Sequence, residues 1–278
     1  MMPRAQDLAQ NSGRRHLTSS KLSYCGGLHR TVYAKLFSDT EIYHNVLPAP
    51  DSQEGKHMLE ELKKRVIAIA QSAQRDGLCK HKSGNFSMRD PKTNYVVITP
   101  SGVDRELLTP EDMVVIDLDA NVIEYRKGIR PSSEVLMHLM IYKTRPAVMA
   151  VAHTHSMYAS VFAVLGKEIP AVVYEAMVLG LKTGVIPVAP YGRPGSMELA
   201  ESVIEPVKIS DALLLARHGA LAVDEKDIES AYLKANYIEE FAEIYYHVLT
   251  VTKGTEPPVF GPEELRAWGY PEEIKFPQ

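Results

Sequence analysis

Residues 146–156 read PAVMAVAHTHS, an apolar run that ends in two histidines one residue apart. The run predicts a buried strand, and alternate side chains of a strand point to the same face, so His153 and His155 would project together. Neutral imidazole nitrogens are common ligands of zinc and similar divalent metals. The pattern therefore indicates a candidate metal site. Two core histidines satisfied by hydrogen bonds are the alternative.

Two further residues could complete such a site. His218 lies in the apolar segment LLLARHGAL at residues 213–221, where Gly219 permits a turn or a close backbone approach. Glu134 follows two serines, a pattern that predicts a helix with serine as N-cap and an acid in its first turn. Three histidines and one carboxylate are typical of catalytic zinc sites, which leave a position for substrate. His138, one turn after Glu134, is predicted to be a core residue or to support the site.

Three segments of small residues could hold a phosphate group. SGNFS at residues 83–87 and TPSG at residues 99–102 have the glycine, serine and asparagine that tight loops need. The two serines before Glu134 lie at a predicted helix N-terminus, where free backbone N–H groups can bind an anion. Each segment alone is ordinary turn sequence. Beside a metal site, they indicate a pocket for an oxygen-bearing, phosphorylated substrate.

The motifs GNFS, TPSG, PSSE, HTHS and RHG occur in this order along the chain. This ordered set resembles the zinc-dependent class II aldolase, epimerase and adducin family, over residues 58–254 and more loosely to the chain end. Within the family, the sequence is most similar to the L-fuculose-1-phosphate aldolase branch. The resemblance implies an α/β fold, a three-layer α/β/α sandwich with a largely antiparallel central sheet.

The resemblance also implies roles for individual residues. His153, His155 and His218 would hold one Zn²⁺ per subunit, or another divalent metal, with Glu134 beside it as ligand and proton carrier. The residues that would bind the phosphate are Asn85, Ser101, Gly102, Ser132 and Ser133.

Three positions favour the aldolases of this family over its L-ribulose-5-phosphate 4-epimerases. The epimerases carry aspartate in place of Glu134 and an acid in place of Val178, and they lack the tyrosine found here at Tyr174. In the aldolases that tyrosine acts at a neighbouring subunit's site, so Tyr174, or Tyr270 from the C-terminal tail, would assist at the aldehyde-forming end. Adducin-type heads, which are not enzymes, are expected to lose metal ligands that this chain keeps.

The activity that the resemblance implies is a metal-dependent retro-aldol cleavage. A ketose 1-phosphate of the L-fuculose 1-phosphate type would give dihydroxyacetone phosphate and an aldehyde such as L-lactaldehyde. Glu134 would protonate the carbon that becomes C1 of dihydroxyacetone phosphate, and no lysine Schiff base is required. The alternatives are the 4-epimerase, an aldolase for another deoxyketose phosphate, and a non-enzymatic adducin-like module. The resemblance further implies a homotetramer and a role in fucose degradation.

Composition argues against several other classes of protein. The chain has 278 residues, of which 45% are hydrophobic, enough for one large domain or two small ones. The net charge of −4, without a basic patch, argues against a nucleic-acid partner. No apolar run reaches the length of about 20 residues that a membrane span needs. Cys25 and Cys79 do not make a disulfide framework and there is no signal-peptide pattern, so we expect a cytoplasmic protein.

Hydrophobic periodicity predicts a mixed order of helices and strands. Residues 58–74 are amphipathic, and residues 117–121 (DLDAN) predict a hairpin turn between two short strands. Strands are predicted at residues 95–99, 113–118, 148–153, 185–188 and 212–215, and further helices at residues 132–143, 156–165, 196–205 and 227–251.

The two ends of the chain are predicted to differ from the catalytic domain at residues 58–254. Residues 1–57 have no periodic apolar face and are predicted to be a disordered leader. Residues 255–278 are predicted to form a C-terminal tail near the active site. Because residues 53–55 (QEG) permit codons containing AGGAGG, about eight nucleotides before the Met58 codon, we expect natural translation to begin at Met58.

Overall fold

A computed structural model of the chain describes residues 53–269. Its helices are α1 (Gln53–Arg75), α2 (Val135–Thr144), α3 (Met157–Leu165), α4 (Met197–Ser202), α5 (Ile204–Ile209), α6 (Ile228–Val251) and α7 (Pro262–Ala267). Its strands are β1 (Asn85–Arg89), β2 (Val96–Ile98), β3 (Val114–Ile116), β4 (Val122–Glu124), β5 (Ala150–Thr154), β6 (Ile169–Pro170), β7 (Val185–Ile186), β8 (Val188–Ala189), β9 (Ala212–Leu215) and β10 (Gly219–Asp224).

Eight strands form one sheet in the order β4-β3-β2-β1-β5-β10-β9-β8, while β6 pairs with β7 apart from it. Neighbouring strands of the sheet run antiparallel except β8 and β9, where Val188 pairs with Leu214 in parallel. The predicted hairpin turn joins β3 to β4, and the Asp117 carboxylate accepts hydrogen bonds from the backbone N–H groups of Asp119 and Asn121. The expectation of a largely antiparallel sheet is confirmed.

Helices cover both faces of the sheet because its strands are apolar on both sides. In β2, Val97 packs into the core shared with α1, α3 and α6, whereas its neighbours Val96 and Ile98 pack into the core shared with α2, α4 and α5. Successive side chains of a strand point to opposite faces, so this alternation separates the two cores. The predicted three-layer sandwich is confirmed.

Prolines divide two of the predicted elements. Residues 185–188 were expected to form one strand, but Pro187 has no N–H for the ladder and separates β7 from β8. Residues 196–205 were expected to form one helix, but the helix stops before Val203 and α5 follows it. Pro206 cannot donate a hydrogen bond to the carbonyl four residues earlier, which explains the break.

Two strands beside the site were not predicted as strands. Residues 83–87 were expected to form a loop, but β1 begins at Asn85 and is buried along its whole length. Strand β10 begins at the glycine of the RHG motif and pairs with both β5 and β9. Both strands are central in the sheet, and they bring the predicted site residues together.

The ends of the chain are only partly described. Helix α1 begins at Gln53, upstream of the predicted start of this helix at residue 58. Residues 1–52 and 270–278, which include Cys25 and Tyr270, lie outside the described residues, so the predictions of a disordered leader and of a start at Met58 stay predictions. No helix within residues 53–269 is long and apolar enough to cross a membrane.

Candidate metal centre

The four predicted metal ligands lie together at one end of the central strands. His153 is the penultimate residue of β5, His155 follows that strand, and His218 immediately precedes the neighbouring strand β10. Glu134 stands at the N-cap of α2, one position before the first turn in which it was predicted. One ligand atom from each of the four residues can be chosen so that all lie within 4.8 Å of one another.

The spacing of these atoms fits a single metal ion. Nε2 of His153 lies 3.0 Å from Nε2 of His155 and 3.1 Å from Oε2 of Glu134. Nε2 of His218 lies 3.1 Å from the other carboxylate oxygen of Glu134. Ligand atoms held about 2.0–2.1 Å from a tetrahedral zinc are about 3.4 Å apart, so small movements would let these atoms share one ion.

The backbone fixes which nitrogen His153 presents to the centre. Its Nδ1 lies 2.8 Å from the carbonyl oxygen of Ala220 on β10. A carbonyl only accepts hydrogen bonds, so Nδ1 carries a proton and Nε2 is the nitrogen that faces the other ligands. Histidines that bind metals are commonly oriented in this way.

Protonation at this centre also suits a metal. Burial raises the pKa of the Glu134 carboxyl, but the charges and hydrogen bonds of His153 and His218 lower it more, and the net pKa lies well below the ordinary value. Burial, with His153 and His218 nearby, lowers the pKa of His155 to about 3. At neutral pH, Glu134 is therefore anionic and His155 keeps an unprotonated nitrogen.

Gly219 permits the close approach of β10 to the histidine pair. A Cβ atom at this position would lie 2.3 Å from the backbone oxygen of Thr154, and 3.4 Å from ring atoms of His153 and His155. We expect Gly219→Ala to lower the free energy of unfolding by about 1–3 kcal/mol, because the strands must separate, and to weaken metal binding. Urea unfolding and metal titration would measure both effects.

The control for this prediction is Gly269→Ala, since a Cβ atom there meets nothing within 4 Å. Equal stability and equal metal affinity of the two variants would show that the β5–β10 approach does not need glycine.

Two of the three predicted phosphate-binding segments are joined by a bridge, and the third is hydrogen-bonded to one of them through Phe86 and Thr99. Pro100 and Pro131 form an isolated antiparallel bridge, which joins residues 99–102 to residues 131–133, just before Glu134. Ser101, Gly102 and Ser133 are exposed at this junction. The hydroxyl groups of Ser101 and Ser133 and the backbone of Gly102 are therefore accessible to an anion beside the metal ligands, whereas the N–H group of Ser101 donates to the carbonyl oxygen of Arg130 at 3.0 Å.

The backbone N–H group of Ser132, which was predicted to be free for an anion, is bonded inside the protein. Ser132 is buried, and its backbone N–H donates to the carbonyl oxygen of Thr99 at 3.1 Å. Its hydroxyl accepts a hydrogen bond from the backbone N–H of Glu134 at 3.3 Å. The expectation of a free N–H group at Ser132 is therefore wrong, because that group helps to hold the two segments together.

Asn85, the phosphate candidate in the third segment, turns its side chain toward Glu134. Its Nδ2 donates to Oε2 of Glu134 at 2.7 Å, and its Oδ1 lies 2.5 Å from Nε2 of His138. Both polar ends of this amide are thus engaged inside the protein. Its predicted contact with phosphate stays a prediction.

A family model for the Class II Aldolase and Adducin N-terminal domain matches residues 64–246. This range includes the whole eight-stranded sheet, the two phosphate-binding segments joined by the bridge, and the four candidate ligands.

The chain belongs to the class II aldolase and adducin family.

Curated relatives and solved structures of this family include aldolases. A 5-deoxy-D-ribulose 1-phosphate aldolase from Bacillus thuringiensis is 36% identical over 207 residues, which are 74% of this chain and 92% of the relative. An L-fuculose phosphate aldolase from Methanococcus maripaludis is 40% identical over 163 residues, 59% of this chain and 84% of the relative. A solved structure of an L-fuculose 1-phosphate aldolase is 34% identical, with a TM-score of 0.68 over 74% of this chain and 93% of that chain.

These similarities settle the class of enzyme. The chain is a class II aldolase, a lyase, and class II aldolases are metal-dependent, so the predicted family membership and class of reaction are confirmed. Glu134, His153, His155 and His218 are the candidate metal ligands of this aldolase.

Tyr174 of this aldolase lies at the surface. It begins a 3₁₀ helix, Tyr174–Leu179, against which α7 packs, and 53% of the residue is exposed. Since Tyr270 lies outside the described residues, the predicted catalytic roles of both tyrosines stay predictions. The contact of α7 shows that the described part of the tail lies beside the Tyr174 segment.

Sequence reasoning missed two polar residues behind Glu134. Ser87 on β1 and Tyr142 on α2 are buried, and their hydroxyl oxygens lie 2.7 Å apart. Two patterns in the sequence indicate these residues. Polar residues stand at every second position from Asn85 to Ser87, and at every fourth position from Glu134 to Tyr142. These are the spacings that align side chains on one face of a strand and on one face of a helix.

Proposed function

We propose that this class II aldolase cleaves a ketose 1-phosphate of the L-fuculose 1-phosphate type between C3 and C4. The products would be dihydroxyacetone phosphate and an aldehyde such as L-lactaldehyde. The observation that carries the proposal is the cluster of Glu134 and three histidines beside the exposed Ser101, Gly102 and Ser133. A phosphate on these exposed groups would leave the substrate's carbonyl end close to the cluster.

Zn²⁺, one ion per subunit, is the proposed cofactor. Three imidazoles and a carboxylate are a donor set that zinc prefers, and the ligand spacing is compatible with its bond lengths. When bound, the metal would act as a Lewis acid and stabilise negative charge on the substrate's oxygens.

Glu134 is proposed to transfer the proton at carbon. When the C3–C4 bond breaks, its electron pair stays on C3 and the C4 hydroxyl loses its proton. Glu134, anionic at the start, takes up that proton by way of Tyr174 or solvent and gives it to C3, which becomes the hydroxymethyl carbon of dihydroxyacetone phosphate. In the synthetic direction, Glu134 removes the same proton, which requires the anionic form that its low pKa favours.

Tyr174 is proposed to act at the other product. As C4 becomes the aldehyde carbon, its hydroxyl proton must leave, and a tyrosine hydroxyl can exchange that proton. The exposure of Tyr174 suits contact with a second subunit, so we propose a homo-oligomer, a cyclic tetramer, in which neighbouring subunits share sites.

5-Deoxy-D-ribulose 1-phosphate is the second candidate substrate. The match to the relative that carries this name covers 92% of that relative's length. Cleavage of this sugar would break the same C3–C4 bond and release the same triose phosphate. The two substrates differ in the carbons that become the aldehyde, so the residues that would contact those carbons decide which sugar is cleaved.

The test is an assay of metal-loaded protein with each ketose 1-phosphate, coupled to the reduction of dihydroxyacetone phosphate. We expect triose release that a chelator abolishes and added zinc restores. Borohydride with substrate should not inactivate the enzyme, because no imine with lysine forms. No triose from either sugar would overturn the proposal, and conversion of L-ribulose 5-phosphate to D-xylulose 5-phosphate without triose would favour the 4-epimerase.

A further inference from the structure

A buried row of hydrogen-bonded side chains runs away from Glu134 between β1 and α2. Asn85 contacts Glu134 and His138 as described above, and Nδ1 of His138 lies 2.7 Å from Oγ of Ser87. Oγ of Ser87 in turn lies 2.7 Å from the hydroxyl of Tyr142. We call these five residues the polar ladder. All five are at most 5% exposed.

The ladder can form because four residues along a helix and two residues along a strand cover nearly the same distance. Glu134, His138 and Tyr142 are four residues apart, which is about 6 Å along a helix. Asn85 and Ser87 are two residues apart, which is about 6.8 Å along an antiparallel strand. Each polar group of α2 therefore finds a partner on β1, and the contact continues for two full steps inside an otherwise apolar layer.

The two contacts of the Asn85 amide fix the direction of the hydrogen bonds in the ladder. Nδ2 of Asn85 donates to Oε2 of Glu134, so the other end of the amide, Oδ1, is an acceptor and faces His138. Nε2 of His138 must then carry a proton and donate to Oδ1. Burial lowers the pKa of His138 to about 3, so its ring is neutral and has a single N–H group. Nδ1 of His138 accepts from the Ser87 hydroxyl, and Ser87 accepts from Tyr142.

We propose that His138 is a positioning residue for Glu134, acting through Asn85. An asparagine amide can rotate to exchange its oxygen and nitrogen, and an exchanged amide would point its oxygen at the Glu134 carboxylate. The N–H group of His138 prevents this exchange, because it requires an acceptor at the position of Oδ1. The ladder thus holds a donor against Oε2, 2.7 Å away, and fixes the carboxylate that faces the substrate. This role rests on the proposed function, in which Glu134 transfers the proton.

The kinetic test compares His138→Leu with His138→Gln in the metal-loaded enzyme. Leucine removes the donor to Asn85, and we expect kcat to fall by about 10- to 100-fold, as for other groups that orient metal-site residues, with little change in KM. Glutamine restores an N–H donor, and we expect kcat within about fivefold of wild type. Metal content should be unchanged in both. Equal kcat values for wild type and His138→Leu would overturn the proposal.

The control for both variants is His247, an exposed histidine on α6, changed to leucine and to glutamine. A loss of kcat confined to His138→Leu, with rescue by glutamine, distinguishes positioning from a general loss of stability. If wild-type protein cleaves neither ketose 1-phosphate, the proposed function fails, and the spectroscopic test below still decides the state of the ladder.

The spectroscopic test reads the His138 tautomer directly in metal-free protein. In protein with ¹⁵N-labelled histidine, the His138 signals are identified by their loss in His138→Gln. We expect a proton on Nε2 and none on Nδ1, which would support the direction of the ladder. A proton on Nδ1 alone, or on both nitrogens at neutral pH, would overturn it. This measurement needs only wild-type protein and His138→Gln, so it decides the direction of the ladder even where His138→Leu fails to fold.

Discussion

Replacing His155 with alanine is expected to remove metal from the protein and to lower turnover by about a thousand-fold or more. The imidazole of His155 lies 3.0 Å from that of His153, and its low pKa keeps a nitrogen available at neutral pH. Without it, two imidazoles and one carboxylate remain. Lewis-acid stabilisation is worth several kcal/mol, and each 1.4 kcal/mol is about tenfold in rate, which gives the expected loss.

The measurement pairs elemental analysis with the triose-release assay. His247→Ala is the matched control, because it makes the same change at an exposed histidine of α6 and should keep metal and turnover. A His155→Ala protein that binds metal as wild type does would exclude His155 as a ligand. Normal metal binding with normal turnover would also contradict the metal-dependent mechanism at this cluster.

The metal ligands could be predicted because each follows or precedes an apolar run. In PAVMAVAHTHS, the apolar residues form β5 and the histidines come at its end. What the sequence could not show is that β10 pairs with β5, because strand order depends on long-range pairing, which hydrophobic periodicity does not encode. The resemblance to the family implied only that His218 joins the other two histidines, and the pairing of Leu221 with His153 accounts for its position.

The residues behind the ligands were harder to predict, for a physical reason. SGNFS has the composition of a loop, and local preference favours a turn there. The segment from Asn85 becomes a central strand because Phe86 packs in one core while Asn85 and Ser87 pair with polar groups of α2 on the other side. Polar side chains in a buried strand are stable only when each finds a partner. The partners lie on a helix about fifty residues later, and a local window of sequence cannot include them.

Glu134→Gln is expected to keep its metal and to lose about 10²- to 10⁴-fold in kcat, the usual contribution of a general acid–base group. Glutamine has nearly the shape of glutamate, and its side-chain oxygen can still accept the hydrogen bond from Asn85. The three histidines that would hold the ion are unchanged. An amide, however, can neither give a proton to the carbon nor remove one from it at neutral pH.

The kinetic constants separate this loss from a loss of binding. Ser101, Gly102 and Ser133 are untouched by the substitution, so KM should stay near the wild-type value while kcat and kcat/KM fall together, as they do when an interaction is made only in the transition state. Glu205→Gln makes the same change at an exposed position on α5 and should leave both constants unchanged. A Glu134→Gln enzyme with wild-type kcat would remove this carboxylate from the reaction. A fall in kcat together with loss of metal would instead show that Glu134 helps to hold the metal, since loss of the ion is enough by itself to stop turnover.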